Sequence, residues 1–512
     1  MTRIRLALMA AVASGVIGVG YAYAAGGNEA AIRQEGQSNA ARIDQSGGQD
    51  NQFNSTGASD TSAALQMGND NTVDILQQGT GNQIGLIANR FNQLDEIIHR
   101  LDGSATLNRA AWGVPAEDFD SDATTGVAQI GDNNEFIAVQ KDGGNVIGGV
   151  VQLAVRPSGA LKNTLEITQQ GGSGNEVSQV MQATSYDKQN YASITQTGSN
   201  NKIAAINQIG VNVAGATTAV NSIIANISGT DNGTSALTGY ALSSGATTSE
   251  LNQFGADNSI SLNITGASNN NAFGVSQTNY GGGRNTLQAL TITGDDNQLG
   301  VSQDADGVAG NHNQLTISSI IGNGNNIGVS QLGSNLGTID LKTDSDNNQI
   351  GLSQTGTNLA SVTIFSGDGN NFDLTQEDFN QLTINVTGSF NLLKTSQSGS
   401  AAGSDNILNA TIYGSSNNST GFDLAGVAGA TGLVAGELIQ TGYGNLATID
   451  VGSSTMDSNN NSFALTQNGN NNEAVISISE GSDNQVALLQ NGNGNYSSIT
   501  QVGSSNIVGV TQ

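Results

Sequence analysis

One spacing constrains this chain more than any other feature. Asn-x-ϕ-x-ϕ-x-Gln, with ϕ small or apolar, recurs about fifteen times, and a repeat at that copy number decides the architecture before other signals do. It occurs early as Asn28-Ala30-Ile32-Gln34 and Asn39-Ala41-Ile43-Gln45. It closes the sequence as Asn484-Val486-Leu488-Gln490, Asn495-Ser497-Ile499-Gln501 and Asn506-Val508-Val510-Gln512. Between those ends it starts again at Asn71, Asn134, Asn190, Asn271, Asn297, Asn325, Asn348, Asn370, Asn391 and Asn461. A period of two places Asn, both ϕ residues and Gln on one face of a strand. Short Gly-x-x-Asn or Gly-x-Gly-Asn links join the copies, and glycine there supplies the positive φ of a tight reversal.

Many copies alternate with a second arm that starts with Asn and ends near glycine, such as NQLTINVTG at 380–388 and NSISLNITG at 258–266. Two arm types in alternation predict an all-β fold: a β-solenoid of stacked strand–turn–strand repeats, two facing parallel sheets with roughly 22 residues per rung. Rungs stacked about 4.8 Å apart place each inward Asn or Gln above its counterpart. A buried amide left unpaired costs about 1–3 kcal/mol, so each polar residue demands an equivalent on the next rung and fixes the register.

Composition agrees. The chain has 512 residues with 69 Gly, 2 Pro, 4% aromatic and 11% charged residues. That is poor material for a conventional core, and too low in charge and proline for typical disorder. A net charge of −27 argues against nucleic acid as a partner and for acids that keep an association-prone chain soluble. Cysteine is absent, which removes disulfides and thiolate metal sites. At the N-terminus, MTRIR, a short apolar run and Ala22-Tyr23-Ala24 read as a secretory signal peptide cut after Ala24. No later stretch reads as a membrane-crossing helix, so no membrane span is expected after signal removal.

The stretch NQVALLQNGNGNYSSITQ, residues 484–501, resembles curlin repeats, the units of curli-type bacterial amyloid fibre subunits. It carries the Gln-x-Gly-x-x-Asn link at Gln490, Gly492 and Asn495, and the strand end at Gln501. The resemblance implies a secreted, extracellular or cell-surface bacterial fibre of biofilm matrix and adhesion, with self as the partner in a head-to-tail polymer and other curlin-like subunits as further partners. It also implies export through a curli-type outer-membrane channel. A stacking and self-assembly role falls on Gln490, Asn495 and Gln501, and with them on Asn484, Asn506 and Gln512. The matching early copies add Asn28, Gln34, Asn39 and Gln45. This chain departs from the family pattern in its high copy number and in its Gly-type arms.

The expected organisation is a signal peptide at 1–24, repeats at 25–88, a non-repeat insertion at 89–125 and repeats at 126–210. An irregular Gly/Ala/Ser/Thr-rich segment at 211–250, repeats at 251–420, a loop at 421–436 and C-terminal repeats at 437–512 follow. Catalysis is not expected. His99 and His312 are far apart, and the acids at Glu117, Asp118, Asp120, Asp122, Asp304, Asp306, Asp344 and Asp346 read as solvated turn residues rather than acid/base pairs. No cofactor or metal site is expected. A monomeric secreted β-solenoid adhesin is the alternative to a fibre subunit. Ice binding by a threonine array is disfavoured because outward positions such as Gln381, Thr383, Asn385 and Thr387 are mixed.

Overall fold

The computed structural model describes residues 18–23, 28–53, 64–85, 126–155, 162–185, 189–210, 220–264, 268–279, 283–288, 290–306, 308, 310–399, 401–423 and 432–512. Most of the expected signal peptide at 1–24 and all of the expected insertion at 89–125, with Trp112, His99 and its acids, lie outside them. The chain divides into two units. One comprises residues 1–236, 248–285 and 307–310; the other comprises 237–247, 286–306 and 311–512.

Each unit is a two-sheet coil in which successive arms alternate between sheets. In the first unit, strands Val146–Val155, Glu176–Ser185 and Lys202–Gly210 stack in one sheet, and Asn134–Gln140, Lys162–Gln170 and Gln189–Ser199 in the other. In the second unit, Asn326–Gly333, Gln349–Gly356, Asn371–Asp378 and Leu392–Ser398 stack in one sheet, and Leu336–Leu341, Leu359–Ser366 and Asn380–Thr387 in the other. All these pairings are parallel and keep like residues opposite one another: Gln331 faces Gln354, and Gln354 faces Gln376. The rung length follows from the ladder asparagines Asn348, Asn370 and Asn391, which are 22 and then 21 residues apart. This is the expected β-solenoid.

Alternation along each arm sets the core. Strand Asn380–Thr387 buries every second residue, Asn380, Leu382, Ile384 and Val386, against the facing sheet. Each such aliphatic side chain contributes about 1.5–3 kcal/mol on burial. Five phenylalanines, Phe53, Phe136, Phe273, Phe372 and Phe463, are fully buried in the same thin layer.

The turns close because the residue before the ladder asparagine adopts a left-handed conformation. Asp70, Asn133, Asn200, Asn347, Asp483 and Ser505 do so at φ between 55° and 62°. Asn, Asp and Gly tolerate that region best, which accounts for the polar, glycine-rich links. Turn glycines also stack closely. A Cβ on Gly367 would lie 2.0 Å from the Gly388 carbonyl oxygen, and one on Gly388 would lie 2.0 Å from that of Gly414.

Several arms are interrupted and still occupy one rung. Gln52–Phe53 and Ala64–Met67 both pair with Glu29–Glu35, with Gln52 opposite Glu29 and Ala64 opposite Ile32. Gln83–Ile84 and Val127–Ile130 both pair with Val146–Val155. The non-repeat segment therefore leaves and re-enters within a single arm. In the second unit the arm begun by Asn417 and Asn418 resumes at Glu437–Thr441. Phe422 and Leu433, from the intervening loop, pack on the outer face against Ala487 and Leu489.

The irregular 211–250 segment contains a short helix, Gly239–Ser243, held within the second unit. It lies on the outer face of strands Gln298–Asp304, Asn326–Gly333 and Gln349–Gly356, where Gly300, Gly328 and Gly351 make room for it. Thr238 donates its hydroxyl to Gln298 Oε1 at 2.9 Å, Ala241 its N–H to Asn326 Oδ1 at 2.8 Å, and Tyr240 its hydroxyl to Asn371 Oδ1 at 3.1 Å. At the other extreme of the sequence, Gly18–Tyr23 runs antiparallel along Glu29–Glu35.

Candidate functional site

Inward columns of asparagine and of glutamine run through each unit, and they carry what is distinctive about the chain. In the asparagine columns the side-chain oxygen accepts from the following rung, and in many rungs it accepts twice. Asn348 donates its backbone N–H and its Nδ2 to Asn325 Oδ1 at 3.0 and 3.1 Å. Its remaining amide hydrogen goes to the Gly367 carbonyl at 3.0 Å. The same pattern joins Asn370 to Asn348, Asn461 to Asn417 and Asn484 to Asn461. The amides of Asn348 and Asn370 are fully satisfied, as full burial requires.

The glutamine columns run with the opposite polarity. Gln331 Nε2 donates forward to Gln354 Oε1 at 2.8 Å, Gln354 to Gln376 at 2.9 Å, and Gln376 to Gln397 at 2.9 Å. A second amide hydrogen reaches a main-chain carbonyl from Gln331, to Gln314 at 3.4 Å, and from Gln376, to Leu359 at 3.2 Å. Asparagine donors thus point toward the N-terminus and glutamine donors toward the C-terminus.

The sites singled out in the sequence occupy these columns at the ends of the repeat array. Gln34 Nε2 donates to Gln66 Oε1 at 2.6 Å, and Gln45 to Gln77 at 2.8 Å. Asn28 Oδ1 accepts the N–H of Asn51 at 2.9 Å, and Asn39 Oδ1 that of Asn71 at 3.0 Å. At the other end Gln490 donates to Gln512 at 3.0 Å. Asn495 and Asn506 donate backwards to Asn472 and Asn484 at 3.0 and 2.9 Å. Gln501 is set apart. Its Nε2 reaches the Gln485 carbonyl at 3.2 Å, while its Oε1 is buried without a hydrogen-bond partner.

Sequence reasoning missed the columns' members in interrupted arms. Asn82 and Gln129 belong to one arm, and both are fully buried column residues: Asn82 donates to Asn51 at 3.0 Å and Gln129 to Gln152 at 2.8 Å. A search for Asn and Gln six residues apart cannot join them. It also passed over Asn145, Asn175, Asn201 and Asn232, which continue the asparagine column of the first unit. The signal available for those was the Gly-x-x-Asn or Gly-x-Gly-Asn link before several of them.

Asp304 and Asp346 take part in turns and not in the inward columns. Asp346 Oδ1 accepts the Asn323 N–H at 2.6 Å, and Asp304 Oδ1 that of Asp306 at 2.9 Å, so these acids serve turns. His312 opens strand His312–Ile321 at the surface. Among the described residues no cluster of three or more His, Cys, Asp or Glu could hold a metal ion. Partial burial raises the carboxyl of Asp450, on the outer face, above its ordinary value.

The C-terminal rungs, where both sheets show the Asn…Gln arm, also match a known family: residues 481–512 fit the curlin associated repeat. Those rungs carry a curlin associated repeat. No curated protein and no solved structure matches the chain. The matched residues include Gln490, Asn495, Asn506 and Gln512, which stand in the columns described above. No helix among the described residues is long and apolar enough to cross a membrane.

Proposed function

We propose that this protein is a secreted fibre subunit that assembles by adding copies of itself to the open ends of its coil. The observation that carries the reading is the last arm, 506–512. Val508 and Val510 are only half-buried, whereas Val486 and Leu488, one rung earlier in the same columns, are completely buried. Apolar columns and unpaired strand edges ending together form a template for another strand. The first rung repeats the same motif, and natural solenoids that stay monomeric cap their ends with atypical repeats. On this reading the signal peptide directs export, a curli-type outer-membrane channel passes the chain, and the fibres contribute to matrix and adhesion.

Seeded growth of residues 25–512 tests this. Thioflavin fluorescence should rise with protein concentration and lose its lag when sonicated fibres are added. Fibre diffraction should show a meridional reflection at about 4.7–4.8 Å. A chain that stays monomeric at every concentration, with or without seeds, would sink the fibre reading and leave a monomeric adhesin.

A further inference from the structure

The end rungs also specify how one copy meets the next, an inference that rests on the fibre reading. In the second unit the column that ends in Gln501 is otherwise apolar. Leu341, Ile364, Val386, Ile412, Val451 and Ile478 precede it rung by rung. Gln501 therefore has no donor behind it, and its Oε1 is left unpaired although the residue is only 4% exposed. Its Nε2 makes a single hydrogen bond, to Gln485. A glutamine placed there gains nothing from its own column. What it does is make the two sheets alike at this end: arm 495–501 and arm 506–512 both present Asn…Gln.

The N-terminal rung is alike in its two arms as well. Asn28, Ala30, Ile32 and Gln34 in one are repeated as Asn39, Ala41, Ile43 and Gln45 in the other. Column polarity makes the two ends complementary. Gln512 leads a column whose amides donate forward, Gln501 stands at the equivalent position of the other sheet, and Gln34 and Gln45 open columns that donate in the same direction. Asn495 and Asn506 lead columns whose oxygens accept from the rung that follows.

We propose that a second copy docks with its sheets exchanged: its arm 28–34 stacks on arm 495–501, and its arm 39–45 on arm 506–512. Arms alternate between sheets, and 506–512 lies half a turn beyond 495–501. The next arm of an unbroken coil thus falls on 495–501, and the first arm of the incoming copy takes that place. The unexchanged junction, 28–34 on 506–512, would separate 39–45 from 495–501 by two strand spacings, about 10 Å, and leave a one-strand gap. The exchanged junction closes both sheets and gives Gln501 and Gln512 the forward acceptors Gln34 and Gln45. Asn28 and Asn39 in turn donate to Asn495 and Asn506.

The chain has no cysteine, so single pyrene labels report the register. Exchanged docking sets Ala40 beside Ile507; unexchanged docking aligns Ala40 with Tyr496. All three are exposed. Residues 25–512 carrying Ala40→Cys would be labelled and co-assembled with labelled Ile507→Cys, and separately with labelled Tyr496→Cys. Excimer emission is expected from the first mixture alone. Gln501→Ile, which continues the apolar column, should leave the melting temperature of the monomer unchanged or higher and slow seeded elongation about tenfold, the loss of one buried hydrogen bond. Fibres with excimer emission from the Tyr496 mixture, or from neither, overturn the exchange, as does Gln501→Ile elongating at the wild-type rate. Unmodified protein that never forms fibres overturns the fibre reading instead, and is told apart by that control.

Discussion

Single side chains fix the register, and one of them is out of character. Phe390 precedes ladder residue Asn391 and takes the left-handed conformation, φ 60°, that Asn, Asp, Ser or Gly occupies at the equivalent positions. Its ring is 61% exposed, so packing does little to offset a backbone strain of about 1–2 kcal/mol. Phe390→Asn should therefore stabilise the monomer by about 1 kcal/mol, read as a higher urea midpoint at unchanged slope. A lower midpoint would show that the ring matters more than the backbone. Gln376→Leu should act in the other direction. It removes the acceptor of Gln354 and the donor to Gln397 in a fully buried column, a loss of about 2–5 kcal/mol. That the amides face inward and stack was legible in the sequence, because a period of two and a fixed spacing carry it. Their polarity was not. Which atom donates forward depends on the turn carbonyls, such as that of Gly367, that take the spare hydrogens.

Arms behave as units even when broken, and this explains where reading the sequence stopped. The halves 82–84 and 127–130 are separated by more residues than a whole rung, yet they pair with one continuous strand. Pattern search needs contiguity; a parallel sheet needs only that each half find its register. The helical strap shows the reverse case, a segment with no repeat that is held by the repeat's outer face. A Cβ on Gly328 would sit 1.8 Å from the Tyr240 carbonyl oxygen. Gly328→Ala should lift the strap while leaving the inward columns intact. Burial, with Asp373 nearby, raises the Tyr240 hydroxyl above its ordinary 10.0. In the lifted variant it should fall back toward that value, as followed by ultraviolet difference titration against Tyr240→Phe. The sign follows from linkage. A folded state that holds the phenolic proton more tightly loses stability as pH rises past 10.0, so alkali should loosen the strap in the wild type first. An unshifted titration in Gly328→Ala would mean that the strap stays in place.

On the fibre reading, copies of a chain whose 512 residues sum to a net charge of −27 repel as they approach, and assembly works against that repulsion. In-register pairs such as Glu176 with Lys202 at 3.3 Å and Lys394 with Glu437 at 3.3 Å relieve it only locally. Salt shortens the screening length from about 30 Å at 0.01 M to about 8 Å at 0.15 M. Seeded elongation should accordingly quicken severalfold over that range, and an elongation rate indifferent to salt would mean that the ends meet without feeling the acids. On the same reading, the expected signal peptide adds a second control. Strand Gly18–Tyr23 pairs antiparallel with Glu29–Glu35, along the edge that an incoming arm would need. An edge already paired offers no unpaired N–H and C=O groups to a template. An antiparallel strand there also breaks the parallel column order that Gln34 and Asn28 begin. A chain retaining residues 1–24 should therefore elongate seeds at least about tenfold more slowly than residues 25–512, since displacing the strand first requires breaking its ladder. With a protease site inserted after Ala24, growth should start on cleavage and not before. Equal rates with and without the leader would show that the strand leaves the edge freely, and that the end becomes available before any processing.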